Sequence, residues 1–283
     1  MHSIGHYSLD TNHLITNVSN WIDGAVICFF LIAGYLFKFQ SDLLTYVKKL
    51  AIRVFPAFFL FSVVNAVVLT VMGKISMLDS ISAIMTMHGV GAQLYFLPFL
   101  FYVSVLYALF YDSLKSYSAT QEVTLILVMI FFLIIICLKY PTTSSTGSDY
   151  WLLPLYFMAF IVGRMYQILN KAPAILAILL SAGVAVLGLY DPRFFDLSGA
   201  IFTLLIAIKI GKYMPSHRLP GSGGIYLLHT PMINFGISFV LWRMGIQELV
   251  NLVSTAFLTY FFCLALTLFV TTRLPKYKWL ILE

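Results

Sequence analysis

Charge is scarce in this chain. Charged residues make up only 10% of its 283 positions, while 61% are hydrophobic. A soluble domain carries roughly a quarter charged residues, because its surface must be wetted. So little charge excludes a water-soluble globule and leaves lipid as the solvent. Cysteine is scarce too. Cys28, Cys137 and Cys263 lie far apart, each inside an apolar run. That spacing offers neither a disulfide framework nor a set of metal ligands, and the three are read as small apolar side chains. His2, His6, His13 and His88 fall on one side of the membrane but match no ligand pattern, so no metal is expected. There are no polar linkers, low-complexity tracts or fixed-period repeats, which leaves one domain, residues 1–283. The first 20 residues are too polar for a cleavable signal peptide.

What is present is apolar sequence in long runs. Nine segments can be read: Trp21–Phe39, Val54–Met72, Leu94–Tyr111, Val123–Leu138, Tyr150–Leu169, Ala172–Tyr190, Leu197–Ile210, Gly223–Trp242 and Leu249–Thr272. Most approach the roughly 20 residues that a helix needs to cross the hydrocarbon. Leu197–Ile210 is short and suggests a tilted or partly buried span. A spanning segment must satisfy its own backbone polar groups, so helices are the reading for all nine. The fold class is therefore all-α, a polytopic membrane protein of about nine transmembrane helices.

Basic residues orient the chain. Thirteen of the 17 Lys and Arg fall in one set of alternate loops, including Lys48, Lys49, Arg53, Arg164 and Arg273. Only Lys74, Lys139, Arg193 and Arg243 fall in the other. The richer set should be cytoplasmic, which places the C-terminus inside and residues 1–20 outside. The net charge of +6 has the same source, and no nucleic-acid partner is expected. An outside N-terminus without a signal suggests that a helix once preceded Met1.

The polar residues of Gly223–Trp242 are gathered. At about 100° per residue, Ser222, Tyr226, His229 and Thr230 fall within an arc of roughly 100°, and Asn234 and Ser238 continue it. Pro231 should kink the helix near His229. Such a face either lines a polar cavity or hydrogen-bonds to neighbouring helices; an imidazole in hydrocarbon raises the weight of the first reading. Lys48, Lys49 and Arg53 at an inner span end are topology anchors, or a mouth suited to phosphate. Asp23, Gln93 and Tyr95 lie at the outer side, where an interfacial anchor is the default for Tyr95.

Four stretches, in order, resemble the acyltransferase 3 family of bacterial integral-membrane O-acyltransferases. CFFLIAGYLF at Cys28 resembles the family's phenylalanine-pair and serine-glycine-tyrosine signature, with Ala33 where serine is usual. KKLAIRVFPAFF at Lys48 resembles the basic stretch with arginine and then proline, Arg53 and Pro56 being in place. QLYFLPFL at Gln93 resembles a histidine-leucine-tryptophan-phenylalanine-leucine motif, with Gln93 and Tyr95 as substitutions. GSGGIYLLHTPMI at Gly221 resembles the glycine-isoleucine-tyrosine-x-x-histidine stretch. The family has about ten helices, and its first ends outside in a histidine regarded as catalytic. Met1-His2-Ser3 looks like that outer end, so translation is expected to begin upstream, or the chain to be a truncated allele.

The resemblance implies transfer of an acyl group, acetyl above all, from acyl-CoA to a hydroxyl of an envelope glycan or its lipid-linked precursor. The inner (cytoplasmic) membrane is the implied site. Acyl-CoA is a co-substrate and no resident cofactor is implied. His2, His229 and Tyr226 are the candidates for catalysis, with His2 as base. Lys48, Lys49 and Arg53 are candidates for donor binding; Asp23, Gln93 and Tyr95 for acceptor binding. A glycan transporter or flippase is the alternative from another class; missing inverted repeats and few intramembrane acids weigh against it. An inactive family member is a third reading. The charge asymmetry makes one prediction on its own. A reporter fused after Glu283 should be active only if it works in the cytoplasm; activity confined to the outside would reverse the topology.

Overall fold

The computed structural model describes residues 26–39, 42–71, 73, 75–90, 94–114, 117–139, 152–169, 174–191, 193–211, 233–246, 248–274 and 276. Ten helices lie in this set: α1 Val26–Tyr35, α2 Leu43–Val71, α3 Met77–Met85, α4 Phe96–Leu114, α5 Ala119–Lys139, α6 Leu153–Ile168, α7 Ala174–Leu187, α8 Arg193–Gly211, α9 Asn234–Arg243 and α10 Glu248–Arg273. Among the described residues there is no strand. The protein is all-helical and polytopic. By length and composition, α2, α5 and the Val253–Arg273 part of α10 suffice to cross a membrane. Their outward faces carry Val63 and Val67, Phe131 and Phe132, and Phe257, Phe261 and Phe262. Lipid solvates such faces as well as a core would.

Each of the nine expected segments holds a described helix, with three differences. Helix α2 starts at Leu43 rather than Val54. The added turns carry Lys48, Lys49 and Arg53, which hydropathy discounts, yet these residues are sound helix formers, and the Asp42 carboxylate accepts the Thr45 N–H at 2.9 Å. Pro56 thereby falls inside the helix and removes one backbone donor from it. Helix α8 starts at Arg193 rather than Leu197, so the segment expected to be short is about 28 Å long at 1.5 Å per residue. Helix α3 was not expected. Ser76 caps it, accepting the Asp79 N–H at 3.0 Å and donating its hydroxyl to the Asp79 carboxylate at 2.6 Å. At nine residues it is too short to cross the hydrocarbon.

Packing groups the chain into two units. One comprises Met1–Ser19, Lys48–Pro98 and Arg218–Glu283; the other comprises Asn20–Val47 and Phe99–His217. In the second unit α6 is the central helix, buried without interruption from Leu155 to Gly163. Helix α1 crosses it backbone to backbone. A Cβ on Gly34 would lie 1.8 Å from the Phe160 carbonyl oxygen, and one on Gly163 would lie 1.9 Å from the Leu31 carbonyl oxygen. Small residues permit this approach, and in lipid such close packing is what holds helices together. Phe30 stacks on Tyr156 beside the crossing, with ring centroids 4.5 Å apart.

Also in this unit, α5 packs on α6 and α7 on α8. Ser181 and Ser198 join the last pair; each hydroxyl reaches the other's carbonyl, at 3.1 and 2.9 Å. The α7–α8 turn is pinned by Arg193, whose Nε donates to the two Asp191 carboxylate oxygens at 2.9 and 2.8 Å. Burial alone would raise the Asp191 carboxyl; the hydrogen bonds and charge of Arg193 outweigh it and hold the carboxyl below its usual range. This contribution to stability is present above the unfolded-chain value and fades as pH falls through the lowered one.

In the first unit, α9 and α10 form an antiparallel pair. The turn after α3 lies against the buried face of α2. Gly89, at φ +74°, sits where a side chain would meet Leu94, Phe58 and Ser62. Leu94, Phe96 and Leu97 are fully buried.

The crossing of α1 and α6 is open to direct test. Gly34→Ala and Gly163→Ala should each force the two helices apart at a cost of about 1–3 kcal/mol or more. Thermal unfolding in detergent checks this; variants that melt with the unsubstituted protein would mean that the crossing yields at no cost.

Candidate functional site

Four of the nine residues singled out by sequence are described. Lys48, Lys49 and Arg53 stand in the early turns of α2 and are all exposed. Lys49 and Arg53 are one turn apart and share a face; Lys48 is about 100° round from Lys49. The buried stripe of α2 (Val54, Ala57, Phe58, Ser62 and Asn65) centres on a different face, its edge at Ala57 lying one turn beyond Arg53. The basic end is therefore built as an outward-facing cationic surface on a rigid helix. Its two aligned cations suit an anion with more than one oxygen. Tyr95 is half-buried in the turn before α4, between buried Leu94 and Phe96. His2, Asp23, Gln93, Tyr226 and His229 lie outside the described residues.

The polar face expected on Gly223–Trp242 can be followed only at its far end. Ser238 on α9 is buried and donates to the Asn251 carbonyl oxygen of α10 at 3.3 Å; the Asn251 amide donates to the backbone oxygens of Ser238 at 3.3 Å and Ile246 at 2.8 Å. At Ser238, the face serves helix–helix bonding. On α2, Ser62 and Asn65 are buried as well. They are the only polar residues between Pro56 and Thr70, a signal that sequence reasoning passed over.

Sequence reasoning also missed an ionic cluster in the other unit. Glu122, in the first turn of α5, accepts from Arg164 Nε on α6 at 3.0 Å and from the Tyr107 hydroxyl on α4 at 2.8 Å. Gln167 accepts from a further guanidinium nitrogen. The guanidinium also lies over the Tyr111 and Phe37 rings, 5.2 and 5.9 Å from their centroids. Both charged side chains are only 13% exposed. Burial of this kind is tolerable only when charges are paired and hydrogen-bonded. By sequence alone Arg164 is one of the thirteen basic residues in the richer set of loops. The available signal was one acid opening an uncharged span and one base closing another.

A cleft of about 270 Å³ lies elsewhere in this unit, lined by Tyr102, Leu106 and Leu109 of α4 and Leu153 and Phe157 of α6. Its walls are almost wholly hydrocarbon. It presents nothing to hold a charged or reacting group, so the polar clusters and not this cleft are where chemistry would be sought.

Breaking the ionic cluster should be costly. Glu122→Ala leaves a buried guanidinium without its carboxylate, a change worth about 3–5 kcal/mol. Replacing both partners, as Glu122→Gln with Arg164→Met, should recover much of the loss. Detergent unfolding of the single and double variants measures this, and a single variant as stable as the parent would show that solvent neutralises the charge.

A family model described as an acyltransferase domain matches residues 1–272. No curated protein matches the chain. No solved structure matches it.

Proposed function

The chain belongs to the acyltransferase 3 family, and on that premise we propose that this membrane acyltransferase moves an acetyl group from acetyl-CoA to a hydroxyl of an envelope glycan or its lipid-linked precursor. The observation that carries the donor is the exposed basic end of α2, with Lys49 and Arg53 on one face. CoA is a polyphosphate made in the cytoplasm, and guanidinium binds phosphate through parallel hydrogen bonds. The charge asymmetry supports a cytoplasmic position for this end, with the protein in the inner membrane and its C-terminus inside.

In the proposed reaction, the acceptor oxygen attacks the thioester carbonyl carbon. A C–O bond forms, the C–S bond breaks, and the CoA thiolate leaves and takes up a proton. A hydroxyl needs a base for this, and imidazole titrates in the right range. His2 is assigned as the base. His229 lines the polar seam along which the thioester runs, and Tyr226 or Tyr95 donates to the developing oxyanion. Asp23 orients His2, and Gln93 contacts the acceptor.

These roles separate in kinetics. His2→Ala should cost about a hundred- to ten-thousand-fold in turnover while the protein still inserts. His229→Ala should lose activity with altered donor affinity. Arg53→Ala should raise the acetyl-CoA concentration needed with little change in maximal rate, because the contact exists in ground and transition states alike. Radiolabelled acetyl transfer in membranes, with expression checked, reads all three. If His2→Ala is untouched while His229→Ala is dead, the base sits on the other helix. If no acetyl moves but glycan export depends on the protein, a transporter reading replaces this one.

A further inference from the structure

Asn251, Thr255, Thr259, Cys263 and Thr267 recur every four residues along α10, and none is more than 5% exposed. Side chains at such steps form one slowly drifting stripe. The opposite side of the helix turns Phe257, Phe261 and Phe269 outward. Near the α9–α10 turn the stripe is saturated: Thr255 donates to the Asn251 side-chain oxygen at 2.9 Å, and Asn251 bonds across to α9.

Farther along it is not. The hydroxyls of Thr259 and Thr267 are buried with no hydrogen-bond partner among the described residues. A helical threonine can ordinarily donate to a carbonyl one turn back. Thr271 and Thr272 of this helix do so, both to Leu268, at 2.9 and 2.7 Å. Thr259 and Thr267 forgo that bond although both are buried. Packing alone would be served as well by valine, and buried polar groups left unpaired ask for a partner that comes and goes.

Position narrows the choice of partner. Thr267 lies about 9 Å, and Thr259 about 21 Å, from Arg273 at 1.5 Å per residue. Arg273 marks the cytoplasmic end in the charge-derived topology. The unpartnered stretch therefore starts on the side where acyl-CoA is made and ends about two-thirds of the way along the Val253–Arg273 span. We propose that Thr259, Cys263 and Thr267 of α10 form a wall of the acyl donor's path, the two hydroxyls bonding the amide groups of its thioester arm. The inference rests on the acyl-CoA reading and assigns it residues on a helix that carries none of the family-like motifs.

The native thiol in the stripe provides the test. With Cys28→Ala and Cys137→Ala, Cys263 is the one thiol left. In membranes holding the full chain, a charged methanethiosulfonate reagent should modify Cys263, since the stripe, closed to water in this structure, must open to admit the donor, and saturating acetyl-CoA should slow the reaction several-fold. Separately, Thr259→Val should raise the KM for acetyl-CoA about tenfold with kcat nearly unchanged, and Thr259→Ser should restore it. A thiol that stays unmodified, or reacts at a rate blind to acetyl-CoA, would reduce the stripe to a packing surface. So would Thr259→Val with parental kinetics. The thiol readout needs no turnover. Protection without acetyl transfer would keep the donor's path and sink the proposed reaction; transfer without protection would do the reverse.

Discussion

The contact between the backbones of α1 and α6 at Gly34 and Gly163 sets the geometry of the unit that contains it. In water, apolar faces would bring these helices together. In lipid they gain little by leaving the hydrocarbon, and association must come from close packing and interhelical hydrogen bonds. The two glycines permit a separation at which Cβ atoms would overlap carbonyl groups. Everything aligned with that crossing inherits its register. Phe37 follows Gly34 by one turn and Arg164 adjoins Gly163, so the crossing brings that ring within 5.9 Å of the guanidinium. Phe37 also meets Tyr107 edge-on at 5.1 Å, and Tyr107 holds Glu122.

This arrangement changes how the family-like motifs are understood. In CFFLIAGYLF, Gly34 is the crossing point and Phe30 stacks on Tyr156. In QLYFLPFL, Leu94, Phe96, Leu97 and Phe99 are core, while Tyr95 and Leu100 stand half out of it. Much of what marks the family in these stretches is therefore packing. The basic end of α2 is different, because Lys48, Lys49 and Arg53 contribute to no buried stripe. A resemblance built on motifs mixes the two kinds of residue, and only burial separates them.

Hydropathy was enough to find the apolar segments, because a spanning helix announces itself locally through length and composition. It failed where local signals conflict with that average. The first turns of α2 are basic but helical, and α3 is short and begins with a capping serine and an aspartate. The Glu122–Arg164 pair was out of reach for another reason. Its members are 42 residues apart, and a lone acid and a lone base do not say which helices meet. The same holds for Ser238 and Asn251, whose bond depends on how α9 and α10 are paired. Of the candidate site, the basic end was legible because it sits within two turns of one helix. His2, Asp23, Gln93, Tyr226 and His229 lie outside the described residues, so the roles given to them remain those of the proposal.

Arg193 does more than pin its own turn. Its Nη2 donates at 2.8 Å to the Cys137 carbonyl, one of the last backbone oxygens of α5, from 56 residues downstream. Helix ends leave such oxygens without internal partners. At about 5–20 residues per second of synthesis, roughly 3–11 s separate the making of Cys137 from the making of Arg193. For that interval the end of α5 must rely on water. The clamp that closes it arrives only after α6 and α7 have been made, so the finished form of α5 is a late event in the birth of the protein.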